Sequence, residues 1–177
     1  MNAERLERVL DASYVADLQS LAMDELRARR AESQELETAL SLVRRLAQGR
    51  LDIAGAELKR RTEGGEHLDV HDLVSKLPDI LSDRIHAPGF GRLPTLMAPG
   101  EDADLTGELD AVADASRLLH LAEMNDDEVR SLVDDLHGYE HDISARRRQL
   151  HEQIDKLQAE IIRRYRTGEA SVESLLS

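Results

Sequence analysis

Glu37, Ser41, Arg44, Gln48 and Asp52 lie in the stretch ETALSLVRRLAQGRLD, residues 37–52, at a spacing where apolar seam residues normally recur. At about 100° per residue these positions fall in one helical stripe about 80° wide. Ionised Glu and Asp accept hydrogen bonds, Arg donates in a planar fork, and Ser and Gln do both. That inventory suits a flat polar ligand with donors and acceptors along its edges, and guanine is a good candidate. A carboxylate can accept from its N1–H and N2–H groups while Arg reaches O6 and N7 or stacks on the ring.

Residues 140–155, EHDISARRRQLHEQID, repeat the set as Glu140, Ser144, Arg147, His151 and Asp155, 103 residues further along the chain. The agreement continues without a gap. Asp24, Glu25 and Arg27 align with Asp127, Glu128 and Arg130, and Glu57, Arg60 and Arg61 align with Glu160, Arg163 and Arg164. Apolar places agree too, Leu26 with Val129, Leu40 with Ile143, Leu51 with Ile154 and Leu58 with Ile161, and Gly65 aligns with Gly168. Arg45 and Arg148, next to the stripes, are placed to meet phosphate oxygens. Doubling of this kind, on an approximate twofold, points to a ligand that is itself twofold.

The elements that must carry these residues follow from their neighbours. Leu36, Leu40, Val43, Ala47 and Leu51 immediately precede the first set and form an apolar stripe about 100° to one side. Tyr139, Ile143, Arg146, Leu150 and Ile154 take those places in the second copy, where Arg146 alone breaks the pattern and is expected to lay its stem along the seam. The sequence therefore predicts an all-α fold, an antiparallel two-helix coiled coil of two related helices of about forty residues joined by a linker. Antiparallel pairing lets the linker join neighbouring ends and brings the two motif windows level. Parallel pairing would oblige it to run the helix length, about 60 Å.

Residues 1–19 read as a loosely packed N-terminal segment, 20–63 as the first long helix, 64–124 as the linker, 125–167 as the second long helix and 168–177 as a tail. Ser20 and Asn125 are the expected caps, and Gly64 and Gly65 the stop of the first helix. Within the linker, HLDVHDLVSKLPDILSD suits one or two short helices, APGFGRLPTLMAPGED a Pro/Gly loop, and DLTGELDAVADASRLLHLAEM a short helix ending near Met124.

Composition agrees. With one Phe, three Tyr, no Trp and 33% charged residues, the chain suits long helices burying narrow seams rather than a broad aromatic core. A formal charge of −13 argues against direct nucleic-acid binding and suits a basic protein partner. The lack of cysteine excludes disulfides and thiolate chemistry. MNAERLERVL lacks the apolar core of a signal peptide and no apolar run is long enough to span a bilayer, so no membrane partner and a cytoplasmic location are expected. His67 and His71, like His137 and His141, stand one helical turn apart without a third local ligand, so no metal is expected. No arrangement of nucleophile, base and acid stands out, which favours a binding protein over an enzyme.

Glu37-x3-Ser41-x2-Arg44-x3-Gln48-x3-Asp52 resembles the cyclic-di-GMP signature of the RsiG family of actinobacterial anti-sigma factors, which carries one copy on each helix of an antiparallel coiled coil. The second copy matches at Glu140, Ser144, Arg147 and Asp155 and has His151 where the family has Gln. The resemblance implies that both copies bind cyclic di-GMP as a dimer, two molecules per chain, with Arg44 and Arg147 engaging guanine and Asp52 and Asp155 reading its Watson–Crick edge. It also implies a protein partner, a sporulation sigma factor related to flagellar sigmas, held inactive when the dinucleotide is bound. Imidazole at His151 can still donate or accept, and it makes that half-site a candidate pH sensor. The alternative is a structural or adaptor coiled coil with no small ligand.

Overall fold

The computed structural model describes residues 3–64 and 103–170, all of whose regular elements are helices or helical turns. Helix α1 (Ala3–Leu10) leads through two 3-10 turns, Ala12–Val15 and Leu18–Ser20, into the long helix α2 (Met23–Glu63). After it come α3 (Ala103–Ala113), α4 (Ala115–Leu119), a 3-10 turn at Leu121–Glu123, and the second long helix α5 (Asp126–Thr167). The expected short helices and Pro/Gly loop between residues 66 and 102, with His67 and His71, lie outside the described residues.

The long helices, 41 and 42 residues, are antiparallel. Arg61, near the end of α2, pairs with Asp126 at the start of α5 at 3.0 Å, and Arg27, near the start of α2, donates to the Tyr165 hydroxyl near the end of α5 at 2.6 Å. The predicted seam forms, with Leu51, Tyr139 and Ile154 only partly buried. Leu36, Leu40, Val43 and Ala47 of α2 and Ile143 and Leu150 of α5 are fully buried, continued by Leu26, Ala54, Leu132, Leu136 and Leu157. Each buried Leu or Ile contributes about 1.5–3 kcal/mol relative to exposure, so this seam is the main source of stability. Arg146 is half-buried, with its guanidinium 3.5 Å from Glu108 of α3.

Helix ends follow local chemistry. Asn125 caps α5 with a capping box, its side chain accepting from Asp127 and Glu128 N–H groups while Glu128 accepts from the Asn125 N–H. Gly64 and Gly168 close α2 and α5 at φ of +70° and +76°, a left-handed conformation that glycine adopts without strain. The repeat register pairs Gly168 with Gly65, so the cap of α2 falls one residue earlier than its counterpart. The expected Ser20 cap does not form: the N-cap of α2 is Ala22, without a side-chain bond, and the Ser20 hydroxyl donates instead to the Asp17 carbonyl at 2.8 Å.

Two further expectations are corrected. The N-terminal segment is packed rather than loose: Leu6 and Val9 are buried, Arg5 pairs with Glu32 and Glu35, and Tyr14 donates to Glu32 at 2.6 Å with the guanidinium groups of Arg8 and Arg29 over its ring. The helix expected to run to Met124 is broken at Asp114, whose carboxylate accepts from the Arg117 N–H at 2.7 Å and starts α4 afresh.

These corrections have one origin, because the 103-residue repeat extends further than the motif region. α1 and α3, the turn Ala12–Val15 and α4, the turns Leu18–Ser20 and Leu121–Glu123, and α2 and α5 occupy equivalent places in it. Leu6, Val9, Asp11, Ala12 and Ser13 return as Leu109, Val112, Asp114, Ala115 and Ser116. Asp11 caps its turn as Asp114 does, accepting from the Ser13 N–H at 2.8 Å. The described chain is thus two copies of one unit.

The short helices cover one face of the pair. α1 is held by Glu32 and Glu35 and by Gln149, which donates to the Leu10 carbonyl; α3 is held by Arg50, which donates to Asp110 and to the Ala113 carbonyl. On a helical wheel these positions lie opposite the motif stripes, so the motif face is the one away from α1 and α3.

Candidate functional site

On that face the motif residues meet across the interface rather than along either helix. Glu140 of α5 accepts on one oxygen, Oε1, from Arg44 Nε at 2.9 Å and from Gln48 Nε2 at 3.3 Å, both from α2. Ser144 donates to the same oxygen at 3.0 Å and accepts from Arg44 Nε at 3.0 Å. The second cluster inverts the first. Glu37 of α2 accepts on Oε1 from Arg147 Nε and Nη2 of α5 at 3.1 and 2.8 Å and from Ser41 at 2.7 Å, and His151 Nε2 stands 3.3 Å from it. Each half-site therefore takes Glu and Ser from one helix and Arg and Gln, or His, from the other.

The level of the two clusters follows from antiparallel pairing of two helices with the motif at the same place in each. Their side chains are partly sheltered: Glu37 and Arg147 are 18% and 23% exposed, Glu140 and Arg44 21% and 31%, and His151 56%. Burial pushes the Glu37 carboxyl upward, but the hydrogen bonds from Arg147 and Ser41 and the nearby positive charge outweigh it and leave the group below its ordinary value, hence ionised. These are charge-assisted bonds at the rim of water, strong enough to order the side chains and open enough to be exchanged for a ligand's edge.

The remaining predicted residues flank the clusters. Asp52 and Asp155 lie exposed one turn beyond Gln48 and His151. Arg45 is exposed and donates from Nε to the Ser41 carbonyl at 3.3 Å, and Arg148 is its exposed counterpart on α5. His137 and His141 are both exposed, and among the described residues no three potential metal ligands gather.

Two features escaped the sequence reading. Spacing along one helix carries no information about a partner across the seam, so the crossing of the half-sites was not visible. The aligned groups Glu57–Arg60–Arg61 and Glu160–Arg163–Arg164 were visible as repeats, yet nothing in the sequence said that Arg61 and Arg164 reach backbone carbonyls at opposite ends of the hairpin.

Among the described residues no helix is long and apolar enough to cross a membrane. A search of the curated proteins finds no match. A family model described as RsiG-like matches residues 12–81 and 115–177, which take in both long helices, both motif copies and the turns that lead into them; the chain belongs to the RsiG-like family.

Proposed function

We propose that this protein is a cyclic-di-GMP-responsive anti-sigma factor that works by binding, without catalysis, and sequesters a flagellar-class sporulation sigma factor when armed with the dinucleotide. Membership of the RsiG-like family supports an anti-sigma regulator. The observation that carries the nucleotide reading is the inverted pair of clusters, Arg44–Gln48–Glu140–Ser144 and Arg147–His151–Glu37–Ser41. Each presents an arginine fork, a carboxylate and small donors in reach of one another, the groups that recognise a guanine edge. The approximate twofold between them suits a dimer of a twofold dinucleotide, two molecules per chain. Arg45 and Arg148 supply charge for its phosphates, and Asp52 and Asp155 flank the guanines. In the cytoplasm, acidic surfaces of a chain with net charge −13 would guide a basic sigma factor to it.

Co-purification with the cognate flagellar-class sigma factor, with and without cyclic di-GMP, tests this function. Capture that depends on the dinucleotide is expected, and equal capture in its absence contradicts the armed state. The mutual satisfaction of Arg44 by Glu140 and of Arg147 by Glu37 favours one rival, a purely structural coiled coil. That rival predicts unchanged partner binding by Arg44→Ala and Arg147→Ala.

A further inference from the structure

Arg61 and Arg164 close opposite ends of the hairpin in the same way. Arg61 donates from Nη1 and Nη2 to the carbonyls of Met124 and Leu121, both at 2.7 Å. Arg164 donates from Nη1 and Nη2 to the carbonyls of Leu21 and Leu18, both at 2.7 Å, and further to Gln19 at 3.1 Å. Leu18 and Leu21 are the repeat counterparts of Leu121 and Met124. Each guanidinium, rooted near the end of one long helix, thus grips the turn that leads into the other.

Both clamps are pre-aimed, Arg164 buried and Arg61 nearly so, its side chain 12% exposed. Nε of Arg61 donates to Glu57 at 2.7 Å and Nε of Arg164 to Glu160 at 2.8 Å, each glutamate one turn earlier on the same helix. Arg164, Glu57 and Glu160 are 7%, 7% and 8% exposed. Hydrogen bonds from Arg60 and Arg61 hold the Glu57 pKa at about 2, and those from Arg163 and Arg164 hold that of Glu160 at about 2, so both glutamates stay ionised at any physiological pH.

The clamps matter to the half-sites because the buried seam between them is mostly aliphatic, with Ser33 and Gln153 as its buried polar residues. A seam of Leu, Val, Ala and Ile resists sliding weakly, and polar contacts are what specify register in such pairs. Arg44 and Arg147 each stand 17 residues before the clamp arginine of their own helix, so the clamps bracket the half-sites from both ends. A slip of one turn displaces one helix along the other by about 5.4 Å, far beyond the reach of a hydrogen bond.

We propose that Arg61 and Arg164 are positioning residues that fix the stagger of α2 against α5 and thereby hold both half-sites in binding geometry. The ligand part of this inference rests on the nucleotide-binding reading. Lysine cannot replace either clamp, since one ammonium cannot serve two carbonyls and a carboxylate in the plane that a guanidinium spans.

The test uses Arg61→Lys, Arg164→Lys and the double variant in the full chain. The chain has no cysteine, so nitroxides on Thr38→Cys and His141→Cys, both exposed and outside the two clusters, report stagger by pulsed electron resonance without ligand. The double variant is expected to remain helical by circular dichroism, to shift or broaden the label distance by up to about 5 Å, and to lose cyclic-di-GMP affinity about tenfold or more at both half-sites. Single variants give the same reading in smaller measure if the double variant does not fold. An unchanged distance, or unchanged affinity in folded protein with the clamps removed, overturns the inference. A wild type that binds no cyclic di-GMP defeats the nucleotide reading instead, and the label distance alone then decides the stagger role: a shift supports it and no shift overturns it.

Discussion

Arg44 and Glu140 meet across the coiled coil at 2.9 Å, and Arg147 and Glu37 make the inverse contact at 2.8 Å. Neither bond can form within one helix, so both report directly on how α2 and α5 are matched. The Arg44→Ala/Glu140→Ala double-mutant cycle, read by urea unfolding without ligand, should give a coupling of about 0.5–1 kcal/mol for this partly exposed pair. Zero coupling would mean that the two side chains do not pair in solution.

His151 takes in its half-site the place that Gln48 takes in the other, each with a ring or amide nitrogen 3.3 Å from a glutamate oxygen. His151→Ala should therefore weaken cyclic-di-GMP binding at that half-site, whereas His151→Gln should keep it and make the two half-sites alike. Equal affinity of the wild type and His151→Ala would show that the imidazole does not take part.

Ala22 and Asn125 occupy the same place in the repeat, but only Asn125 caps its helix. Asn125→Ala should cost about 1 kcal/mol in thermal or urea unfolding, and Ala22→Asn should gain about 0.5–1 kcal/mol by restoring the missing cap. Equal stability of all three proteins would rule out the capping box as a contributor.

Glu57 and Glu160 have folded values of about 2, below the ordinary glutamate value of 4.5. A depressed carboxylate contributes stability that is complete above the unfolded value and is lost as pH falls through the folded one. The melting temperature should thus fall between about pH 4.5 and 2, and the fall should be shallower in Glu57→Gln/Glu160→Gln. An identical acid limb in the variant would show that these glutamates are not paired as described.

The long helices and their seam were legible because Leu36, Leu40, Val43 and Ala47 recur at coiled-coil spacing, a signal that packing then obeys. The short elements were not. The turn Ala12–Val15 and α4 are too brief for periodicity to speak, and their meaning sits in the single residues Asp11 and Asp114, whose carboxylates start them. The match of Leu6, Val9 and Asp11–Ser13 to Leu109, Val112 and Asp114–Ser116 was in the sequence, and following the register four turns upstream of α2 would have revealed both. Ser20 misled because a cap residue is defined by where its hydroxyl bonds, and this one serves the preceding turn. At the candidate site the residue types were readable from spacing, whereas their partners across the seam, Glu140 for Arg44 and Glu37 for Arg147, needed the fold.

Titration calorimetry of cyclic di-GMP into the wild-type chain and into Arg44→Ala tests the central claim most directly. Two molecules should bind per wild-type chain, and binding should be abolished in the variant. Absence of binding by the wild type, or equal binding by Arg44→Ala, would contradict it.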